Sequence, residues 1–218
     1  MKKQFKFEEQ KSFAKLSEDL NPIHLNKEWA EKEYPGKIVV YGISLLLWGI
    51  ESCSHEYQIS RIKGRFIHPV FIGDLLFLKL KEYENNKILS IYVEQTLVAK
   101  FEIYYGKDFL SNKLNKIFPN KVINIPQDLT KEDISSQRGI VSISNYDLSK
   151  IKLNYPNSSK YLGEVSIKGL LSISRLVGMY CPGLRSIFSN FDLTFEENKN
   201  LINFEVIKTN FLLGFANI

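Results

Sequence analysis

Cysteine and histidine are scarce in this chain: 218 residues hold two of the first and three of the second. Cys53 and Cys181 lie far apart and outside any CxxC or Cys/His spacing. Neither a disulfide framework nor a zinc site is expected on that count, and a reducing cytoplasm is the natural setting. No apolar stretch follows the lysines of MKKQFKFEEQKSF, so no signal peptide is read there. The longest apolar run, Ile43 to Ile50, falls well short of the roughly 20 residues that cross a bilayer, and no membrane partner is expected. The lysines behind the net charge of +5 are dispersed, with no block and no arginine-rich stripe. They read as a solvated surface that could draw phosphate groups, and nucleic acid is not expected as a partner.

Apolar bulk, by contrast, is plentiful. Hydrophobic residues make up 44% of the chain, with fifteen Phe and eleven Tyr, enough for a substantial core. The first half reads as a short strand (Gln4 to Phe7), a helix (Glu8 to Leu16), a polar turn around Pro22, and another helix (Lys27 to Glu33) stopped by Pro35-Gly36. ISLLLWGIESCSHEY is then apolar on nearly every face and predicts a buried helix. Beyond it the period changes to two, with strands predicted at Ile59 to Ile67, Leu75 to Tyr83, Lys87 to Leu97 and Lys100 to Tyr105. One buried helix followed by antiparallel strands implies a sheet curled around that helix.

The C-terminal half echoes this order after Lys107 to Asp133, a Lys/Asn/Asp-rich segment read as linker. A strand (Ile140 to Ile143), a polar stretch (Asn154 to Lys160) and an apolar helix (Val165 to Met179) precede strands at Ser186 to Phe195, Leu201 to Lys208 and Leu212 to Ile218. Two copies of one unit are expected, about 120 residues apart. The later copy is short, ending inside the apolar GFANI; either its sheet lacks a strand or the chain is part of a longer polypeptide.

Chemistry concentrates in SEDLNPIH, where Asp19 and His24 lie five positions apart across an Asn-Pro turn. Proline fixes its own φ and restrains Asn21, so the pair can be preset rather than induced. A carboxylate and an imidazole converging on one water can exchange protons with it in both directions. Gly42, after Tyr41 and at the start of the apolar helix, offers N–H groups at the positive end of the helix dipole, suited to a carbonyl oxygen that gains charge.

FAKLSEDLNPIHLN, VVYGIS and RIKGRFIHPVFIGDLL follow one another over about residues 10 to 105. Together they resemble the MaoC-like, (R)-specific enoyl-CoA hydratase family. The resemblance implies the hot-dog fold, a long helix wrapped by an antiparallel sheet. The expected architecture is therefore α+β, a double hot dog with an incomplete second copy: a catalytic unit at 1–106, a linker at 107–138 and a degenerate unit at 139–218. It also implies reversible hydration of trans-2-enoyl thioesters to (R)-3-hydroxyacyl thioesters. Asp19 and His24 match the catalytic pair, Asn21 the turn asparagine, and the N–H near Gly42 the oxyanion donor. No metal or cofactor is implied beyond the coenzyme A or phosphopantetheine that carries the substrate. An acyl-CoA or an acyl carrier protein is the implied partner, and a homodimer through strand edges stays open.

Two positions depart from the family pattern. Glu18 stands where a glycine is usual and, if turned into the pocket, would raise the pKa of Asp19. Tyr41 replaces the histidine usual before Gly42. His55, His68 and Cys181 read as structural, Tyr104-Tyr105 and Phe188/Phe191 as core, and Arg65 either as a phosphate contact or as a strand-surface ion pair. The alternatives to a hydratase are a hot-dog thioesterase and a non-catalytic domain that binds an acyl carrier or scaffolds a larger synthase.

Overall fold

A computed structural model describes residues 1–33, 37–106, 123–141, 147–184, 186–195, 202–210 and 215–217. The expected stop at Pro35-Gly36, much of the linker, and parts of the last two predicted strands lie outside them. The chain opens with β1 (Lys2–Gln4) and α1 (Phe7–Ser17), then a 3-10 turn (Pro22–His24), α2 (Lys27–Glu33) and α3 (Gly42–Glu51). Four strands follow: β2 (Ile59–Phe66), β3 (Leu75–Glu82), β4 (Asn86–Val93) and β5 (Thr96–Tyr105). The C-terminal half contributes α4 (Lys131–Ser135), β6 (Arg138–Val141), α5 (Leu148–Asn154), α6 (Pro156–Arg175) and a π-helical turn (Leu176–Tyr180). It ends with β7 (Asn190–Thr194), β8 (Ile202–Glu205), β9 (Lys208–Asn210) and β10 (Phe215–Asn217).

The six-stranded antiparallel sheet runs β1-β3-β4-β5-β2-β7. Its inward residues, among them Ile62, Leu76, Leu89, Ile91 and Phe101, are fully buried with Leu46, Leu47 and Ile50 of α3. An amphipathic sheet must cover its apolar face, and α3, apolar all round, is the element that can be wrapped. This is the α+β, hot-dog-like arrangement expected of the N-terminal half. β7 lies alongside β2, so the C-terminal half adds a strand to the sheet of the first. Ile151, Ile167, Leu170 and Leu171 of the C-terminal half belong to the same core.

Several elements differ from expectation. α3 ends at Glu51 rather than running on to Tyr57. His55 bridges its end, with Nε2 3.0 Å from the Ile50 carbonyl and Nδ1 2.8 Å from the Tyr105 hydroxyl. The Glu51 carboxylate accepts hydrogen bonds from the N–H groups of Asn157 and Ser158, capping the start of α6. The expected polar stretch Asn154 to Lys160 is therefore mostly helix, with Pro156 in its first turn, where a missing N–H costs nothing. β4 and β5 are separated by a turn at Glu94, which takes a left-handed φ of 53°. That turn carries none of the usual Gly or Asn signals, which explains a strand predicted too long.

Candidate functional site

The segment between α1 and α2 is shaped by its own side chains. The Asn21 Oδ1 accepts from the N–H of Ile23 and caps the 3-10 turn that ends at His24. The Asn21 N–H donates to Asp19 Oδ1 at 3.2 Å, an Asx-type bond that turns the carboxyl inward. Asn21 also reaches across the molecule, its amide donating to the carbonyls of Gly178 and Gly183. It holds the turn from behind.

Asp19 and His24 are almost wholly buried, 2% and 9% exposed, and both line one cavity of about 240 Å³. Tyr41 and Gly42 line it as well, so four of the five predicted site residues share one space. His24 Nδ1 lies 2.7 Å from the carbonyl oxygen of Val39. A carbonyl only accepts, so Nδ1 carries the proton and Nε2 keeps its lone pair. Tyr41 donates its hydroxyl to the backbone carbonyl of Asp19 at 2.6 Å, while its ring lies 3.8 Å from the His24 ring. Tyr41 thus braces both members of the pair.

Burial acts on the two acid/base groups in opposite directions. It raises the Asp19 pKa to about 7, with Ser174, the Asn21 N–H and the Arg175 charge pulling the other way. It lowers that of His24 to about 4, against a smaller opposing effect from the bond to Val39. Desolvation disfavours the charged form of each. Near neutrality the imidazole is uncharged and the carboxyl is partly protonated. The Tyr41 phenol, buried and beside Asp19, is held well above its usual range and stays a donor.

Gly42 opens α3, and the side chain of Tyr41 makes no capping bond there. The first-turn N–H groups of a helix lack intrahelical acceptors and face outward from its end. A Cβ at Gly42 would lie 2.7 Å from the Phe66 ring, so the close approach of that ring requires glycine.

The C-terminal half supplies groups that the sequence pattern did not reveal. Ser174 donates to Asp19 Oδ2 at 2.8 Å. Gly178 lies against the same carboxyl, where a Cβ would overlap Oδ1 and sit 2.7 Å from Cγ. Glu18 does not line the cavity; it forms an ion pair with Arg175, which is 2% exposed. The condition under which Glu18 would raise the Asp19 pKa is not met, because a buried guanidinium at the end of α6 captures its side chain. Arg175 was the available signal: a charge inside an apolar helix needs a carboxylate partner. His68 and Phe188, expected to be structural, line the cavity too. Arg65 is exposed and makes no ion pair among the described residues. Cys181 is buried, and burial pushes its thiol up to about 12, as suits a plain helix-ending turn.

Residues 5–101 match the family described as "MaoC like domain", and this part of the chain is a MaoC-like domain. Among curated proteins, none matches the sequence. Solved structures similar to it include an (R)-hydratase from A. caviae, 23% identical with a TM-score of 0.41, covering 47% of this chain and 88% of that one. R-Hydratase PhaJ1 from Pseudomonas aeruginosa is 21% identical with a TM-score of 0.39, covering 56% of this chain and 88% of that one. The HadBC (3R)-hydroxyacyl-ACP dehydratase complex from Mycobacterium tuberculosis is 16% identical with a TM-score of 0.37, covering 48% of this chain and 89% of that one.

Proposed function

We propose that this chain is a hydro-lyase that adds water across trans-2-enoyl thioesters to give (R)-3-hydroxyacyl thioesters, and runs the reverse. One observation supports the reading above the others: a carboxyl and an imidazole, biased by burial to opposite protonation states, line one cavity at the start of α3. In the hydration direction, His24 Nε2 takes a proton from water as the hydroxyl adds to C3. The protonated Asp19 carboxyl gives its proton to C2. The thioester oxygen, which gains charge as the C2–C3 double bond shifts, is stabilised by the N–H of Gly42. The two side chains then restore their starting states by exchanging one proton through solvent, and dehydration retraces the steps.

The carrier is coenzyme A or the phosphopantetheine of an acyl carrier protein, and the reaction needs no metal. We further read the chain as a double hot dog, with a unit at 1–106, a linker at 107–138 and a degenerate unit at 139–218. The pairing of β7 with β2 and the shared core support this arrangement.

Incubation with crotonyl-CoA tests the activity. The enoyl-thioester absorbance should fall with no release of free thiol, and Asp19→Asn or His24→Ala should each lower turnover at least about a hundredfold. Thiol release would instead mark a thioesterase. No turnover of any enoyl or 3-hydroxyacyl thioester by the wild-type protein would overturn the proposal in favour of a binding domain.

A further inference from the structure

Glu18 and Arg175 are the outlying pair in the site. Glu18 directly precedes Asp19 and takes a left-handed φ of 53°, a conformation that glycine adopts freely and a glutamate does not. Its side chain forms an ion pair with Arg175 at the end of α6. Arg175 is almost fully buried and is further tied by Nη2 donating to the Ile123 carbonyl at 3.1 Å and by lying over the Tyr180 ring. Its neighbour Ser174 donates to the Asp19 carboxyl. Two adjacent residues of α6 therefore grip two adjacent residues of the turn, 155 or more positions away in sequence.

We propose that Glu18 and Arg175 are positioning residues: an ionic latch by which the C-terminal half holds the Asp19 turn and neutralises its own cation beside that carboxyl. A buried guanidinium left alone at this distance would favour the Asp19 carboxylate; a buried glutamate left alone would oppose it. Arg175 lowers the Asp19 pKa, but burial is the larger effect and raises it, so burial decides the protonation of Asp19. The energetic return on the left-handed backbone at Glu18 is the pairing with Arg175. Breaking one side of such a pair is costly because it strands the other charge. The other titratable groups at this cavity are His24 from the 3-10 turn, Tyr41 from the start of α3, and His68 from the segment after β2.

The functional weight of the latch rests on the hydratase reading, but its test does not. The Asp19 carboxyl is titrated by 13C NMR in the full-length protein labelled at aspartate Cγ, its signal assigned by its loss in Asp19→Asn. Glu18→Gln removes the carboxylate paired with Arg175 and should move the midpoint down by about one unit. Arg175→Gln removes the cation beside Asp19 and should move it up by a similar amount. The double variant should fall between the two single variants. A packing role alone would not produce opposite shifts. Should Arg175→Gln fail to fold, Glu18→Gln and the charge-preserving Arg175→Lys still decide: the first must shift the midpoint down and the other must leave it near wild type. Single variants that leave the midpoint unmoved, or both move it the same way, would overturn the latch. Failure of crotonyl-CoA turnover alongside these shifts would sink the hydratase reading and leave the latch standing.

Discussion

Asp19 and His24 owe their chemistry to the same cause acting on opposite charges. Burial keeps the imidazole neutral and favours the protonated carboxyl, so the form with one shared proton dominates between about pH 4 and about pH 7. In the proposed mechanism, hydration uses that proton on Asp19, and dehydration uses it on His24. Both directions draw on the same total protonation. We therefore expect kcat/KM to follow a bell with limbs near 4 and 7 in either direction, measured with an enoyl and a 3-hydroxyacyl thioester; a flat profile from pH 5 to 9 would contradict it. The same burial weakens the fold. The Asp19 pKa is raised on folding, so its stabilising contribution is full below the unfolded value near 3.8 and is lost as pH rises towards about 7. Asp19→Asn removes that loss. Its Tm should exceed wild type by several degrees at pH 8, and the gap should close at pH 4, as followed by calorimetry. Gain of stability with loss of activity is the pattern expected where a group is buried for function.

Among the elements, α3 and α6 are coupled at both ends. The start of α3 faces the cavity with Tyr41 and Gly42, while its last residue, Glu51, caps α6. The far end of α6 returns to the cavity through Ser174. A carboxylate accepting N–H groups at a helix start also meets the positive end of the dipole. Glu51→Ala should lower stability by about 1–2 kcal/mol in urea unfolding, with a smaller loss for Glu51→Gln. An unchanged urea midpoint would show that the cap contributes nothing. The lengths of these helices illustrate where local pattern fails. Apolar spacing located the centre of α3 well, yet its end is decided by His55 and Glu51 finding partners on Tyr105 and α6. Neither partner is near in sequence.

The two halves share the larger of two cores, and β7 of the C-terminal half joins the sheet of the first. Leu170 of α6 is fully buried in the cluster that holds Leu46 of α3 and Phe101 of β5. Leu170→Ala should cost about 2–5 kcal/mol, and the loss should appear in one cooperative transition seen alike by near-UV and far-UV circular dichroism. Two separated transitions would mean that the halves fold independently. Short-range chemistry made much of this molecule readable from the chain alone. Asn-Pro stiffness set the Asp19–His24 turn, period-two alternation marked β2 to β5, and an all-apolar run marked the wrapped helix. These signals survive because each arises between residues a few positions apart. Ser174 and Gly178 carried no such short-range signal, since a serine or a glycine in a helix takes on meaning only when a distant carboxyl arrives beside it. The identity of the candidate acid/base pair was written in the sequence; its burial, its protonation bias and the grip of the C-terminal half on it came from tertiary packing, because desolvation and charge pairing depend on neighbours in space rather than along the chain.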